Sequence, residues 1–252
     1  MNLFFTDLDN TMIYSHHIKI SKPKIVVEHL NGREQSFMTE YAYNFLSSAD
    51  WLEIVPVTTR TQQQYDRIEC SEKLRFKYAI VCNGGKLLVD GKEDLEWSYK
   101  TNILVRDNYE SLQQATEILS KLCFSVTIHK PERYMSYIKC SNPESVYKEL
   151  IKSVDFNKVN VERDGRKVYL FAKGISKGEA VKRFIMKRRS KTILSAGDNL
   201  MDVSMLDYAD FAFVNKKITE LISGTNRIIV EEMPFSDGVC RYITEMRMKG
   251  MI

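Results

Sequence analysis

Two aspartates stand two residues apart in the run Asp7-Leu8-Asp9-Asn10-Thr11, directly after the short apolar stretch Asn2–Thr6. Carboxylates this close repel each other, and the usual remedy in proteins is a divalent cation bound by oxygen ligands. The pair can also supply a nucleophilic oxygen and a group that donates and accepts protons. A solvated turn in which Asn10 or Thr11 caps a helix would show the same spacing. The run alone leaves both interpretations open.

A second acid pair, Asp198 and Asp202, follows the apolar stretch Ile193–Ala196. Four residues make about one helical turn, so the two carboxylates would share a helix face. An N-capping aspartate followed by an acid in the first turn would give the same pattern. Spacing alone therefore permits either a metal site or a helix cap here.

A hydroxyl segment and a lysine lie between the two acid pairs in the sequence. Thr58-Thr59-Arg60 follows the apolar stretch Leu52–Val57, which places hydroxyls and backbone amides at a strand end. Lys177 opens a predicted helix, where free backbone N–H groups attract anions. A lysine gains nothing from the helix dipole at this end, so its position indicates a nearby negative charge. The alternative is that Lys177 lies on the surface and that Thr59 or Thr61 caps a helix.

The elements that must position these residues alternate between strand-like and helix-like stretches, as in an α/β protein with a parallel sheet. The pattern predicts strands at 2–6, 52–57, 78–82, 192–195, 211–214 and 227–230. It predicts helices at 40–48, 61–69 and 177–189, and others that begin near 200 and 237. Asn31-Gly32 between two β-prone runs predicts a tight hairpin. Since parallel strands end at one sheet edge, all four polar segments are expected there.

The pattern changes over residues 86–172. Strand-like segments at 86–97, 124–139 and 157–171 are interrupted by helices near 107–121 and 143–152, which predicts an α+β domain with its own small sheet. The predicted organisation is a discontinuous core, 1–85 and 173–252, that carries this continuous insert.

Length and composition restrict the class of protein. A chain of 252 residues with 44% hydrophobic and 28% charged residues can bury a sizeable core, which excludes collagen-like and largely disordered classes. The net charge of +4 demands no nucleic acid, and the absence of any apolar run approaching 18 residues argues against a membrane partner. Five cysteines without a Cys-x-x-Cys pair predict buried thiols and a cytoplasmic location.

The order of these segments, acid pair, hydroxyl, lysine and acid pair, strongly resembles the haloacid dehalogenase (HAD) superfamily of phosphohydrolases. The positions that match its four motifs are, in chain order, Asp7, Asp9 and Thr11, then Thr58, then Lys177, then Asp198 and Asp202. Asn83-Gly84 and Asp237-Gly238-Val239 match further family features. The insert resembles the large α/β cap of the type IIB branch, which includes many sugar-phosphate phosphatases.

The resemblance implies a Rossmann-like parallel-sheet core with an inserted α+β cap domain. It implies a Mg²⁺-dependent phosphatase for a small phosphorylated metabolite, above all a sugar phosphate. Asp7 would be the nucleophile that forms an aspartyl phosphate, and Asp9 would be the acid–base group. The phosphate would be bound by Thr58, Thr59 and Lys177, and the Mg²⁺ by Asp7, Asp9, Asp198 and Asp202.

Two positions depart from the family pattern. Thr59 stands where the branch usually has glycine, so a side chain crowds the backbone amide. Met201 stands where the family usually has asparagine before its last aspartate, so an amide that could bind phosphate or metal waters is lost. These departures leave open a non-hydrolytic regulatory or binding protein of the HAD type. A phosphomutase acting on a sugar phosphate also stays open, because a relative with a related cap transfers phosphate between sugar hydroxyls.

Overall fold

The computed structural model describes residues 2–68, 74, 76–123, 125–188, 190–223 and 226–252. The chain divides into two compact units, one formed by Met1–Glu93 with Lys177–Ile252 and the other by Asp94–Ser176. The second unit starts and ends a few residues later than the predicted insert. Residues 86–93 pair within the first unit, whereas the N–H of Lys173 donates to the carbonyl oxygen of Lys158 (2.8 Å) in the second.

The first unit contains a parallel sheet that has five strands over the described residues. In their order across the sheet these are β15 (Asn226–Ile229), β14 (Phe211–Val214), β13 (Ile193–Gly197), β1 (Asn2–Thr6) and β5 (Leu52–Pro56). Every residue of β1 is buried, because β13 and β5 pair with its two edges and hydrophobic residues pack on its faces. A uniformly buried strand of this kind is typical of a covered parallel sheet, and the predicted α/β class is confirmed.

Two small antiparallel sheets also belong to the first unit. One consists of β2 (Tyr14–Ser15), β4 (Arg33–Thr39) and β3 (Lys24–Leu30), and the other of β6 (Tyr78–Val81), β7 (Lys86–Val89) and β8 (Lys92–Glu93). Asn31 and Gly32 join β3 to β4 with φ values of 53° and 74°. Two successive positive φ angles are what a type I′ turn requires, so the predicted hairpin is confirmed.

The helices of the first unit are α1 (Glu40–Ser48), α2 (Gln62–Tyr65), α6 (Lys177–Ile185), α7 (Val203–Leu206) and α8 (Phe235–Met248). The predicted helix 61–69 is too long, because Ile68 instead forms a bridge to Glu28 of β3; its last residue, 69, lies outside the described residues. The helix predicted at 177–189 ends at Ile185, and residue 189 also lies outside. The helix expected near 200 is a 3₁₀ turn, Leu200–Asp202, that leads into α7.

The second unit contains a four-stranded antiparallel sheet over its described residues, in the order β11 (Val159–Asp164), β12 (Lys167–Ala172), β10 (Met135–Lys139) and β9 (His129–Glu132). Its helices are α3 (Leu95–Val105), α4 (Tyr109–Leu122) and α5 (Pro143–Leu150). The prediction of a strand over 86–97 is wrong in its second half. Asp94 accepts the N–H of Trp97 (2.9 Å) and thereby caps α3.

The cysteines that the structure describes, Cys82, Cys123, Cys140 and Cys240, are buried, as predicted; Cys70 lies outside the described residues. The cytoplasmic location stays a prediction. Among the described residues, no helix combines the length and the apolar character that crossing a membrane requires.

Candidate active site

The carboxyl ends of three neighbouring strands meet at one edge of the central sheet. Asp7 follows β1 and donates its N–H to the carbonyl oxygen of Ala196 in β13 at 3.0 Å, which places the two acid segments side by side. Val57 follows β5, donates its N–H to the carbonyl oxygen of Thr6 at 2.8 Å, and leads directly to Thr58. This edge of a parallel sheet is where α/β proteins bind ligands.

One buried ammonium group joins acids from both pairs. Lys177 begins α6, and its Nζ donates to Oδ1 of Asp7 (2.5 Å) and to Oδ1 of Asp202 (2.6 Å). All three side chains are at most 5% exposed, and charges buried this deeply persist when they are paired. Burial alone would lower the pKa of Lys177, but the charges of Asp202 and Asp7 outweigh it and raise that pKa. Lys177 is therefore a permanent cation between two carboxylates.

Asp7 is surrounded by more negative charge than Lys177 balances. Burial is the largest influence on Asp7 and raises its pKa. Lys177 acts in the opposite direction, and the carboxylates of Asp202, Asp198 and Asp9 raise the pKa further, so that the net direction is upward. An added cation beside Asp7 would relieve this repulsion.

Three of the four acids of the two pairs, all but Asp9, have the geometry of a candidate cation site. One carboxylate oxygen from each of Asp7, Asp198 and Asp202 lies within 4.8 Å of the others. The hydroxyl of Thr11 donates to Oδ1 of Asp198 (3.1 Å), and the amide of Asn215 donates to the backbone carbonyl of Asp198 (2.6 Å), so this acid is held from two sides. Carboxylate oxygens are the ligands that Mg²⁺ and Ca²⁺ prefer. The residues present therefore fit a hard divalent cation.

Asp202 has a second function in the same loop. Its Oδ2 accepts the N–H groups of Asp198 (3.0 Å) and Asn199 (3.1 Å), while its Oδ1 faces Lys177. A Cβ on Gly197 would overlap the side chain of Asp202, so only glycine leaves room for this approach. Asp202 therefore orders the loop that presents Asp198.

Asp9 lies in a different environment from Asp7. Its carboxylate is 47% exposed and is bound by both arms of one guanidinium, with Oδ1 at 2.8 Å from Nη2 of Arg60 and Oδ2 at 2.9 Å from Nε. Burial would lower the pKa of Arg60, but hydrogen bonds and charges from Asp9 and Glu28 raise it above its usual value. The sequence reasoning missed this pair. In the sequence, the pair of Asp9 and Arg60 is indicated by the position of Arg60 at the end of the hydroxyl segment.

The hydroxyl segment, Thr58-Thr59-Arg60, is held by hydrogen bonds. Thr58 is fully buried, and its Oγ1 accepts the N–H of Arg60 at 3.1 Å. Its backbone carbonyl accepts the N–H of Asn83 (2.9 Å), which ties the segment to the end of β6. Thr59 is partly exposed, and Thr61 caps α2 by accepting the N–H of Gln64 (3.2 Å). The phosphate-binding roles of Thr58 and Thr59 stay predictions.

Met201 occupies a buried position in the second acid segment, with 6% exposure. Its N–H donates to the side-chain oxygen of Asn199 at 2.9 Å. The asparagine amide of this loop therefore stands two residues before the position where the family usually carries one, and it caps the 3₁₀ turn.

The sequence model of haloacid dehalogenase-like hydrolases matches residues 7–243, so the chain belongs to that family. The predicted family and the prediction of an enzyme of the HAD hydrolase type are confirmed. A comparison with the curated proteins gave no match.

Several solved structures share the fold over almost the whole chain. A HAD subclass IIB sugar phosphatase is 14% identical, with a TM-score of 0.62 and 100% of both chains covered. The sucrose-phosphatase from Synechocystis sp. PCC6803, solved with sucrose and phosphate, is 14% identical, with a TM-score of 0.60 and 97% of each chain covered. The C-terminal domain of the trehalose-6-phosphate phosphatase from C. albicans is 14% identical, with a TM-score of 0.59 and 96% of this chain and 91% of that chain covered. These similarities confirm the fold of a HAD core with a cap domain.

Proposed function

We propose that this protein is a phosphatase that hydrolyses a small phosphorylated metabolite, with a sugar phosphate as the expected class. The observation that carries the proposal is the arrangement of Asp7, a buried carboxylate 2.5 Å from the ammonium of Lys177 and close to Asp198. Transfer of a phosphoryl group to a carboxylate needs positive charge beside the negatively charged phosphoryl oxygens, and Lys177 supplies it. The sugar phosphatases named among the similar structures support the substrate class.

The reaction would proceed in two steps. A carboxylate oxygen of Asp7 attacks phosphorus, the bond from phosphorus to the leaving oxygen breaks, and Asp9 protonates that oxygen. Asp9 then takes a proton from water, the water oxygen attacks the aspartyl phosphate, and inorganic phosphate leaves while the carboxylate of Asp7 is restored. The half-exposed position of Asp9 suits this exchange of protons with substrate and water.

We assign the cation ligands to Asp7, Asp198 and the backbone carbonyl of Asp9, with Asp202 orienting the waters of the ion. A bound Mg²⁺ would supply charge neutralisation at the phosphate. Thr58 and the backbone amide of Thr59 are proposed to bind the phosphate oxygens.

Chelation tests this proposal. With para-nitrophenyl phosphate as substrate, we expect EDTA to lower turnover at least a hundredfold and an excess of Mg²⁺ to restore it, because the acids around Asp7 repel a phosphate without a cation. Circular dichroism with and without EDTA serves as the control for unfolding. Full activity after exhaustive chelation would refute the cation site. If no phosphate is released from this substrate or from a panel of sugar phosphates, the phosphatase proposal is wrong.

A further inference from the structure

A buried carboxylate outside the four motifs contacts the arginine that binds Asp9. Glu28 of β3 is 1% exposed, and its Oε2 accepts a hydrogen bond from Nη1 of Arg60 at 3.0 Å. Oε2 also accepts from the hydroxyl of Ser36 (2.7 Å), and Oε1 accepts from Nε of Arg67 (3.0 Å). Both oxygens of Glu28 are thus bound by side chains.

Arg60 is held on several sides at once. Nε and Nη2 bind the two oxygens of Asp9, and Nη1 donates to Glu28 and to the backbone carbonyl of Gln64 (3.3 Å). A guanidinium is planar, so fixing Nη1 also fixes the direction in which the opposite edge points. The position of the Asp9 carboxylate is therefore linked to that of Glu28.

The irregular backbone around Glu28 indicates a role for this residue other than packing. The pairing of β3 with β4 is irregular on both sides of Glu28, between Val26 and Glu28 and between Glu28 and His29. Bulges of this kind re-aim a side chain and are frequent beside active sites. A buried charge cluster is in itself weak support for stability, since apolar side chains often serve as well.

We propose that Glu28 is a positioning residue for the proposed reaction: through Arg60 it keeps the carboxyl group of Asp9 where, in its protonated form, it can give its proton to the leaving group. This inference rests on the proposed phosphatase function. A misplaced Asp9 slows the release of a basic leaving group, whereas a weakly basic one needs little protonation.

Phenyl phosphate and para-nitrophenyl phosphate test this role, because they share a ring and differ in the basicity of the leaving group. The value of kcat/KM reports the first step, and its ratio for the two substrates on one preparation does not depend on the active fraction. We expect Glu28→Gln to lower kcat/KM for phenyl phosphate about tenfold more than for para-nitrophenyl phosphate, a part of the 10²–10⁴ that general acids contribute. Glu28→Asp, which keeps the charge, should shift the ratio in the same direction by about threefold.

Two further variants show whether Glu28 acts through Arg60. Glu34→Gln neutralises an exposed acid of the same hairpin, paired with Lys24 at 3.8 Å, and should leave the ratio unchanged. In an Arg60→Met background, adding Glu28→Gln should change the ratio no further.

Two results would overturn the role of Glu28 while leaving the phosphatase proposal intact. One is an unchanged ratio in Glu28→Gln, or in Glu28→Asp should the first variant not fold. The other is a shift that persists in the Arg60→Met background. A wild-type protein that hydrolyses neither substrate would instead refute the proposed function and this inference with it.

Discussion

Each of the two aspartates of the first motif contacts one positively charged side chain, and these two side chains bind their aspartates in different ways. Lys177 offers Asp7 a single buried nitrogen shared with Asp202, whereas Arg60 offers Asp9 two parallel hydrogen bonds and turns its third nitrogen to Glu28. Asp7 is enclosed, while almost half of the Asp9 side chain is exposed. An enclosed carboxylate suits a nucleophile that must stay in place, and an accessible one suits a group that exchanges protons.

Exchanging each aspartate for asparagine separates them most strongly. Asp7→Asn removes the proposed nucleophile, so no leaving group should be released from any substrate. Asp9→Asn keeps the nucleophile, and with para-nitrophenyl phosphate we expect a burst of about one nitrophenolate per active site followed by very slow turnover. Acid-quenched Asp9→Asn protein should carry the mass of one phosphoryl group, and with a sugar phosphate the burst should disappear. A burst in Asp7→Asn and none in Asp9→Asn would reverse the two roles.

Replacing Lys177 tests the contact between this lysine and the buried carboxylate of Asp7. We expect Lys177→Ala to lower kcat by about two to three decades, the usual effect of losing one stabiliser of transition-state charge. Because Asp7 and Asp202 would then be buried without their counter-charge, the melting temperature should fall as well. The rate is therefore normalised to the folded fraction, measured by circular dichroism. Lys182→Ala, on the exposed face of α6, is the matched control. A loss below threefold would show that Lys177 does not act on the phosphate.

Met201→Asn should have the smallest effect. The buried methionine already has a neighbouring asparagine that caps its N–H, so we expect kcat/KM to change by less than threefold. Placing an amide in this buried position should cost about 1–3 kcal/mol of unfolding free energy, measurable by urea titration. A rise in kcat/KM of tenfold or more would show that the missing amide limits the reaction.

The contrast between the two cations also shows what the sequence could predict. An apolar strand or a helix start lies within a few residues of each of Asp7, Lys177 and Asp198. Such local patterns can be recognised in the sequence without a structure. The contact between Arg60 and Glu28 was not predictable, because it joins residues 32 positions apart and depends on an irregular strand pairing. In the second unit, Leu95 begins a helix where a strand was expected, since the capping bond of Asp94 outweighs the strand-like pattern.

The order of strands in the central sheet determines when the site can form during synthesis. β1 pairs with β5 on one side, but its other edge pairs with β13, which lies almost 190 residues later in the chain. The chain leaves the ribosome with its N-terminus first, so this edge of β1 stays exposed until β13 has been synthesised. Open strand edges invite aggregation. The four strands of the second unit follow one another with no such interruption, so this unit can fold while the central sheet is still incomplete. We therefore expect the unit without the four motifs to fold before the unit that carries them.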